Sequence, residues 1–192
     1  MSGSYRKLVK GLRTGTHFTL ELSRFRRSVG KLFLVEDGDI LEDRCDVLVV
    51  AVNRADQIGG GLVRDVAERY PREVQGYREI ASAGALDFGE VLPFEVLQRR
   101  HPAAHARWLV FLPTMADHRR KARLDHVRGG VEALVRWANL QGPAGGAIAI
   151  PALGCGRGGL AWNEMRPILE NAAARMTNVE THLYAPPTRG TG

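Results

Sequence analysis

The sequence predicts an α/β fold in which a mixed β-sheet is sandwiched between helices, giving three layers. Three observations lead there. Short apolar runs that read as buried strands recur along the chain. Stretches with helical apolar spacing alternate with them after an extra strand or two in front. The 192 residues are 44% hydrophobic and 25% charged, ordinary values for one globular domain with a sizeable core.

Taken in order, the elements are these. His17 to Leu22 (HFTLEL) alternates apolar and polar side chains, as a half-buried strand does, and Leu32 to Val35 is a second short strand. Val47 to Val52 (VLVVAV) is continuously apolar, the pattern of a strand covered on both faces, and it ends at Asn53. Gly59-Gly60-Gly61 opens a helix carrying Leu62, Val63, Val66, Ala67 and Tyr70, which stops near Pro71. A second helix covers about Arg72 to Ala83. Val91 to Val96 is a strand that Pro93 confines to an edge or a bulge. Trp108 to Leu112 is another buried strand. Leu124, Val127, Val131, Leu134, Val135 and Ala138 mark one face of a helix. Ala147 to Ile150 is a strand that runs into PALGCGRGGL. Met165, Ile168, Leu169, Ala172 and Met176 mark a last helix, with Asn163 placed to cap it, and His182 to Ala185 is the last strand.

Composition excludes several classes. No apolar run approaches the roughly 20 residues of a membrane-spanning helix. The basic N-terminus is not followed by the apolar core of a signal peptide. Cys45 and Cys155 are the only cysteines and lie far apart, which points to a reducing, cytoplasmic setting. The six histidines lack metal-ligand spacing, so neither a metal nor another cofactor is expected. Residues 1–31 hold eight basic side chains against Glu21 alone, while the rest is nearly neutral. Such an arm either attracts phosphate backbones or is a solvated extension.

Two segments look built for an anion. In NRADQIGGGL, Asn53 to Leu62, a buried strand ends in an amide and a triple glycine leads into a helix. Glycine admits close backbone approach and positive φ, and a helix N-terminus offers unpaired N–H groups. In PALGCGRGGL, Pro151 to Leu160, Gly154, Gly156, Gly158 and Gly159 allow a nest of backbone donors. Each follows a strand, where ligands of open α/β sheets sit, and the pair suits a diphosphate gripped from both sides. A dinucleotide-binding βαβ unit fits poorly, because GCGRGG comes too late in the chain for the rest of that unit. A Walker A loop is excluded, since no Gly-Lys-Ser/Thr follows either segment.

Gly38-Asp39-Ile40, the strand ending in Asn53, the triple glycine and the late PALGCGRGGL followed by Trp162 together resemble the macrodomain family. The nearest branch is that of the DarG-type DNA ADP-ribosyl glycohydrolase antitoxins and the terminal ADP-ribose glycohydrolases, whose late loop reads PxxGCGxGGLxW. Arg119, Lys121, Arg123 and Leu124 also resemble the stretch after that branch's catalytic loop. The resemblance divides the chain into a basic extension (1–30), a macrodomain (31–187) and a flexible tail (188–192).

The resemblance implies a ligand, ADP-ribose or an ADP-ribosylated protein or nucleic acid, and a set of roles. Asp39 accepts from the adenine amino group with Ile40 beside it, and Tyr184 packs near the adenine. Asn53 contacts the distal ribose, and Gly59, Gly60, Gly61, Leu62 and Thr114 line the ribose and diphosphate region. Leu153, Gly154, Cys155, Gly156, Arg157, Gly158 and Gly159 wrap the diphosphate. Bland readings stand beside these: Asp39 as a turn cap, Asn53 as a strand-end cap, Cys155 as a small loop residue and Tyr184 as packing.

The chemistry departs from the branch. Its hydrolases use a lysine directly after a Pro-Thr pair, and here Pro113-Thr114 is followed by Met115. Its terminal glycohydrolases use an aspartate in the late loop, at the place of Gly158. A thioether neither attacks an anomeric carbon as an amine does nor carries a proton. Asp56, Asp117, Arg119 and Lys121 are the nearby groups left to support water-mediated hydrolysis of a glycosidic bond. The sequence therefore leaves two classes: a module that binds ADP-ribose, with an ADP-ribosyltransferase toxin as cognate partner and removal of the mark open, or a nucleic-acid-binding protein that uses residues 1–31, with the fold as scaffold.

Overall fold

The computed structural model describes residues 26–29, 32–55, 60–98 and 101–187. The strand read in residues 17–22, most of the basic extension and the tail 188–192 lie outside them. The described elements are β1 (Arg26–Val29), β2 (Leu32–Val35), a 3-10 turn (Ile40–Glu42), β3 (Val47–Asn53), α1 (Leu62–Arg69), α2 (Pro71–Ser82), β4 (Leu92–Glu95), β5 (Trp108–Met115), α3 (Leu124–Leu140), β6 (Gly146–Ile150), α4 (Trp162–Arg175) and β7 (Val179–Tyr184).

The seven strands form one sheet in the order β1-β2-β7-β6-β3-β5-β4. The run from β2 to β5 is parallel, and the edge pairs β1–β2 and β4–β5 are antiparallel. Pro93 sits on β4, at the edge, where its missing N–H removes no ladder bond from the interior. The strand Arg26–Val29 falls in the stretch read as extension. Its RRSV sequence lacks the apolar alternation by which a strand is recognised.

Within the apolar runs, side chains alternate between two cores. Val47, Val49, Val110, Leu112, Ile148 and Ile150 pack with Val131 and Leu134 of α3 and Leu169 of α4. Leu48, Val50, Val52, Leu109, Phe111 and Ala149 pack with Val66 of α1 and Val74 and Tyr77 of α2. Each helix pair thus covers one face, giving the three layers. Burial of each such side chain contributes about 1.5–3 kcal/mol. At Gly130 a Cβ would stand 2.8 Å from Leu112 Cδ2, so glycine lets α3 lie close on β5.

One expected cap is corrected. Asn163 lies inside α4; the cap position is Ala161, which makes no side-chain bond, so the helix starts one residue before Asn163. Among the described residues no helix is long and apolar enough to cross a membrane.

Candidate functional site

The parallel strands β2, β7, β6, β3 and β5 all end on the same edge of the sheet. Their following residues (Glu36, Ala185, Pro151, Asn53 and Met115 among them) line one cleft of ≈ 730 Å³. That is the crevice where open α/β sheets hold ligands, and its volume suits a ligand of nucleotide size.

The late loop supplies donors. Cys155 N bonds Ala152 O at 3.0 Å, Leu160 N bonds Gly154 O at 3.0 Å and Gly159 N bonds Gly156 O at 3.2 Å. The N–H groups of Gly154, Gly156 and Gly158 have no acceptor among the described residues, and all three residues line the cleft. Unpaired amides in a tight glycine-rich loop are the donors from which an anion site can be built. Gly154 (φ 73°) and Gly159 (φ 75°) take the left-handed conformation that the loop requires. Leu153 is fully buried and anchors the loop in the core. Neither Leu153 nor Cys155 nor Gly159 is among the cleft residues.

The early loop faces it. Gly60 and Gly61 line the cleft at φ 107° and 72° and lead into α1 with Leu62. A Cβ on Gly60 would lie 3.7 Å from Arg157 Nη1, so the late loop's guanidinium reaches the early loop. Gly59 and Asp56 lie outside the described residues.

Asn53 is buried at 5% exposure. Its Oδ1 accepts from Ala55 N at 2.9 Å and its carbonyl from Tyr77 Oη at 2.8 Å. It caps the strand end and lines the cleft at once. Thr114 is buried, and its hydroxyl donates to Val52 O at 3.2 Å. Asp39 caps a turn, its Oδ1 accepting from Leu41 N at 2.9 Å, and it borders the cleft beside Ile40. Tyr184 lines the same end, where its hydroxyl donates to Asp43 Oδ2 at 2.7 Å. His182 Nδ1 meets the same oxygen at 2.7 Å, so a buried carboxylate fixes the ring's place.

The two ends differ in charge. Glu36, Asp37 and Asp39 border the Asp39 end, with Arg69 tied to Leu41 O and Glu42, and Asp65 and Glu68 of α1 also line the cleft. The Asn53 end has Met115, His118 and Arg157.

Catalytic candidates thin out. Met115 lines the cleft, so the position aligned with the branch's lysine faces the ligand space with a thioether. A side chain at Gly158 would put its Cβ 2.5 Å from Gly154 O and 2.8 Å from Ala122 Cβ, which leaves no room for the aspartate of the terminal glycohydrolases. Asp117, Arg119 and Lys121, the groups left to reach in, do not line the cleft. Asp117 instead closes a turn, accepting from Arg119 N at 2.8 Å and Arg120 N at 3.1 Å. Those amides hold its carboxyl below the usual range. Lys121 Nζ donates to Arg157 O at 3.4 Å and its stem covers Gly159. Burial pushes the Cys155 thiol up to about 11, which removes it as a nucleophile.

His118, Asp37, Asp65 and Tyr77 are cleft residues that sequence reasoning missed. Only Tyr77 carried a signal: an aromatic hydroxyl on the apolar face of α2 needs a buried partner, here the Asn53 carbonyl.

No protein-family model matches the chain. Over 149 residues it is 29% identical to a DNA ADP-ribosyl glycohydrolase of Thermus aquaticus, covering 78% of this chain and 40% of that protein. It therefore spans about two fifths of the length of such relatives. The macrodomain of Mycobacterium tuberculosis DarG superposes with a TM-score of 0.72 at 25% identity, covering 80% of this chain and 97% of that one. Thermosipho africanus DarTG in complex with ADP-ribose gives 0.72 at 24% identity, covering 81% and 41%.

Proposed function

The chain is a macrodomain of the DarG type, and from that premise we propose that its cleft binds ADP-ribose carried on a macromolecule, with DNA the favoured carrier. One observation supports this most: two glycine loops from different strands open onto one cleft, and three lining residues of the late loop have backbone N–H groups without an acceptor among the described residues. A pyrophosphate suits such donors. The adenine lies at the Asp39–Tyr184 end and the distal ribose at the Asn53–Met115 end, following the family arrangement. An ADP-ribosyltransferase that installs the mark is the implied partner.

Titration calorimetry with free ADP-ribose tests the reading. Saturable one-to-one binding is expected, and no heat at high protein concentration sinks it.

A second reading, removal of the mark, is favoured by the relatives' names and by His118, an imidazole at the distal-ribose end. It requires water-mediated hydrolysis, since Met115 offers no amine and Gly158 has no room for a carboxylate. Incubation with ADP-ribosylated DNA and protein, followed for released ADP-ribose, decides it. Release that persists in wild type and disappears in His118→Ala establishes the second reading, and no release from any linkage leaves binding alone.

A further inference from the structure

The cleft opens between two surfaces of opposite charge. Five acids line the cleft, three of them in the Glu36–Asp39 segment, where Arg69 is the neighbouring cation. The surface around the Asn53 end is different. Residues 117–125 hold Arg119, Arg120, Lys121 and Arg123 against Asp117 and Asp125, and all four cations are exposed. Arg119 has no acidic partner among the described residues, Lys121 meets only a carbonyl, and Arg120 and Arg123 pair with Asp117 and Asp125 in exposed contacts that water screens and a phosphate can exchange.

This segment is continuous with the ligand site. His118 lines the cleft, Lys121 contacts the Arg157 carbonyl, and Arg157 reaches Gly60. On the other side, His126 of α3 stacks on Phe88 at 3.9 Å, and Arg54, next to Asn53, lies over the same ring at 5.1 Å. Arg54 N also bonds Met115 O at 3.0 Å. Arg54 is itself tied to Asp87 and to Leu86 O, so the exposed cations next to this end of the cleft are those of residues 119–123.

An ADP-ribosyl group is joined to its carrier at the anomeric carbon of that distal ribose, so the carrier leaves the cleft there. A polyanionic carrier is repelled at the acidic end and attracted at the basic one. Phe88 is already engaged by His126 and Arg54, so the surface suits phosphates more than stacked bases.

We infer that the exposed cations of residues 119–123 form a rim that grips the phosphodiester backbone of an ADP-ribosylated nucleic acid. This rests on the reading of the cleft as an ADP-ribose site. It moves the nucleic-acid contact from the N-terminal extension to the mouth of the cleft.

The test compares free ADP-ribose with a short single-stranded oligonucleotide bearing one ADP-ribose, its linkage checked as intact, on the full chain. Wild type should bind the oligonucleotide more tightly. Three phosphate contacts predict that this affinity falls about 20-fold between 50 and 200 mM salt, with free ADP-ribose changing far less. The variant Arg119→Gln/Arg120→Gln/Arg123→Gln should bind free ADP-ribose as wild type does and lose most of the gain and of its salt dependence. The rim is overturned if the modified oligonucleotide binds no tighter than free ADP-ribose, or if the triple variant keeps the gain. It is equally overturned if an ADP-ribosylated neutral peptide gains as much, or if deleting residues 1–25 alone abolishes the gain. Failure of free ADP-ribose to bind wild type overturns the cleft reading instead.

Discussion

The two glycine loops meet at one ligand site, yet their glycines are required for different reasons. In the late loop the requirement is space, absolute at Gly158 and joined at Gly154 by a positive φ. Cβ atoms at Gly154 and Gly158 would stand 2.7 Å from Leu160 Cδ1 and 2.5 Å from Gly154 O. In the early loop the requirement is conformation. Gly61 has nothing within 4 Å of a Cβ, but its φ is 72°. A packed loop holds its amides in place before the ligand arrives. An open one keeps its shape through the dihedral preference of glycine.

The largest effect should come from breaking the packed loop. Gly158→Asp forces a Cβ against backbone oxygen and Ala122, neither of which can yield. Overpacking of this kind costs about 1–3 kcal/mol. Relief requires the loop to move, which scatters the donors. Calorimetry should show at least a 100-fold loss of ADP-ribose affinity, while circular dichroism shows the remaining fold intact. An unchanged affinity would mean that the late loop does not hold the ligand. Gly156→Phe separates blockage from packing, because a Cβ there meets nothing within 4 Å. It should abolish binding with the melting temperature unchanged.

Gly61→Ala acts through strain alone. A non-glycine residue in the left-handed region costs roughly 1–2 kcal/mol. If the loop relaxes to escape that strain, affinity should fall about 5- to 30-fold. A loss as large as that of Gly158→Asp would erase the distinction between the loops.

The same contrast explains what could be read beforehand. The three-layer order, β3, β5, β6 and the long α3 follow from apolar runs and helical spacing, which dominate when a strand is covered on both faces. Both loops were visible because they come as a pair: one glycine cluster after a strand usually makes only a tight turn, but two, each after a buried strand, point to one anionic ligand. What stayed hidden depends on tertiary placement. His118, Asp37 and Asp65 carry no motif, and only the meeting of separate segments brings them to the cleft. The start of α4 at Trp162 is set without a side-chain cap, the cap position being Ala161, so Asn163 misled. That Gly158 has no room for an acid depends on Ala122, from a distant segment.

The smallest effect concerns chemistry that the loop withholds. Cys155 stands at the middle of the late loop, where a reactive thiol would be conspicuous, but burial raises its thiol to about 11. Burial also pushes Cys45 up to about 12, with Asp43 adding to the shift. The thiolate is the reactive form, and a raised value means little of it below that pH. At pH 8 roughly one Cys155 in a thousand is ionised, and a tenfold rise per pH unit is expected up to the shifted value. Alkylation of the folded protein should therefore be slow at pH 8 and accelerate steeply through pH 10, with bound ADP-ribose slowing it further if the ligand seals the packed loop. Rapid labelling at pH 7 would show that the late loop opens, and its description as the rigid partner of the pair would have to be given up.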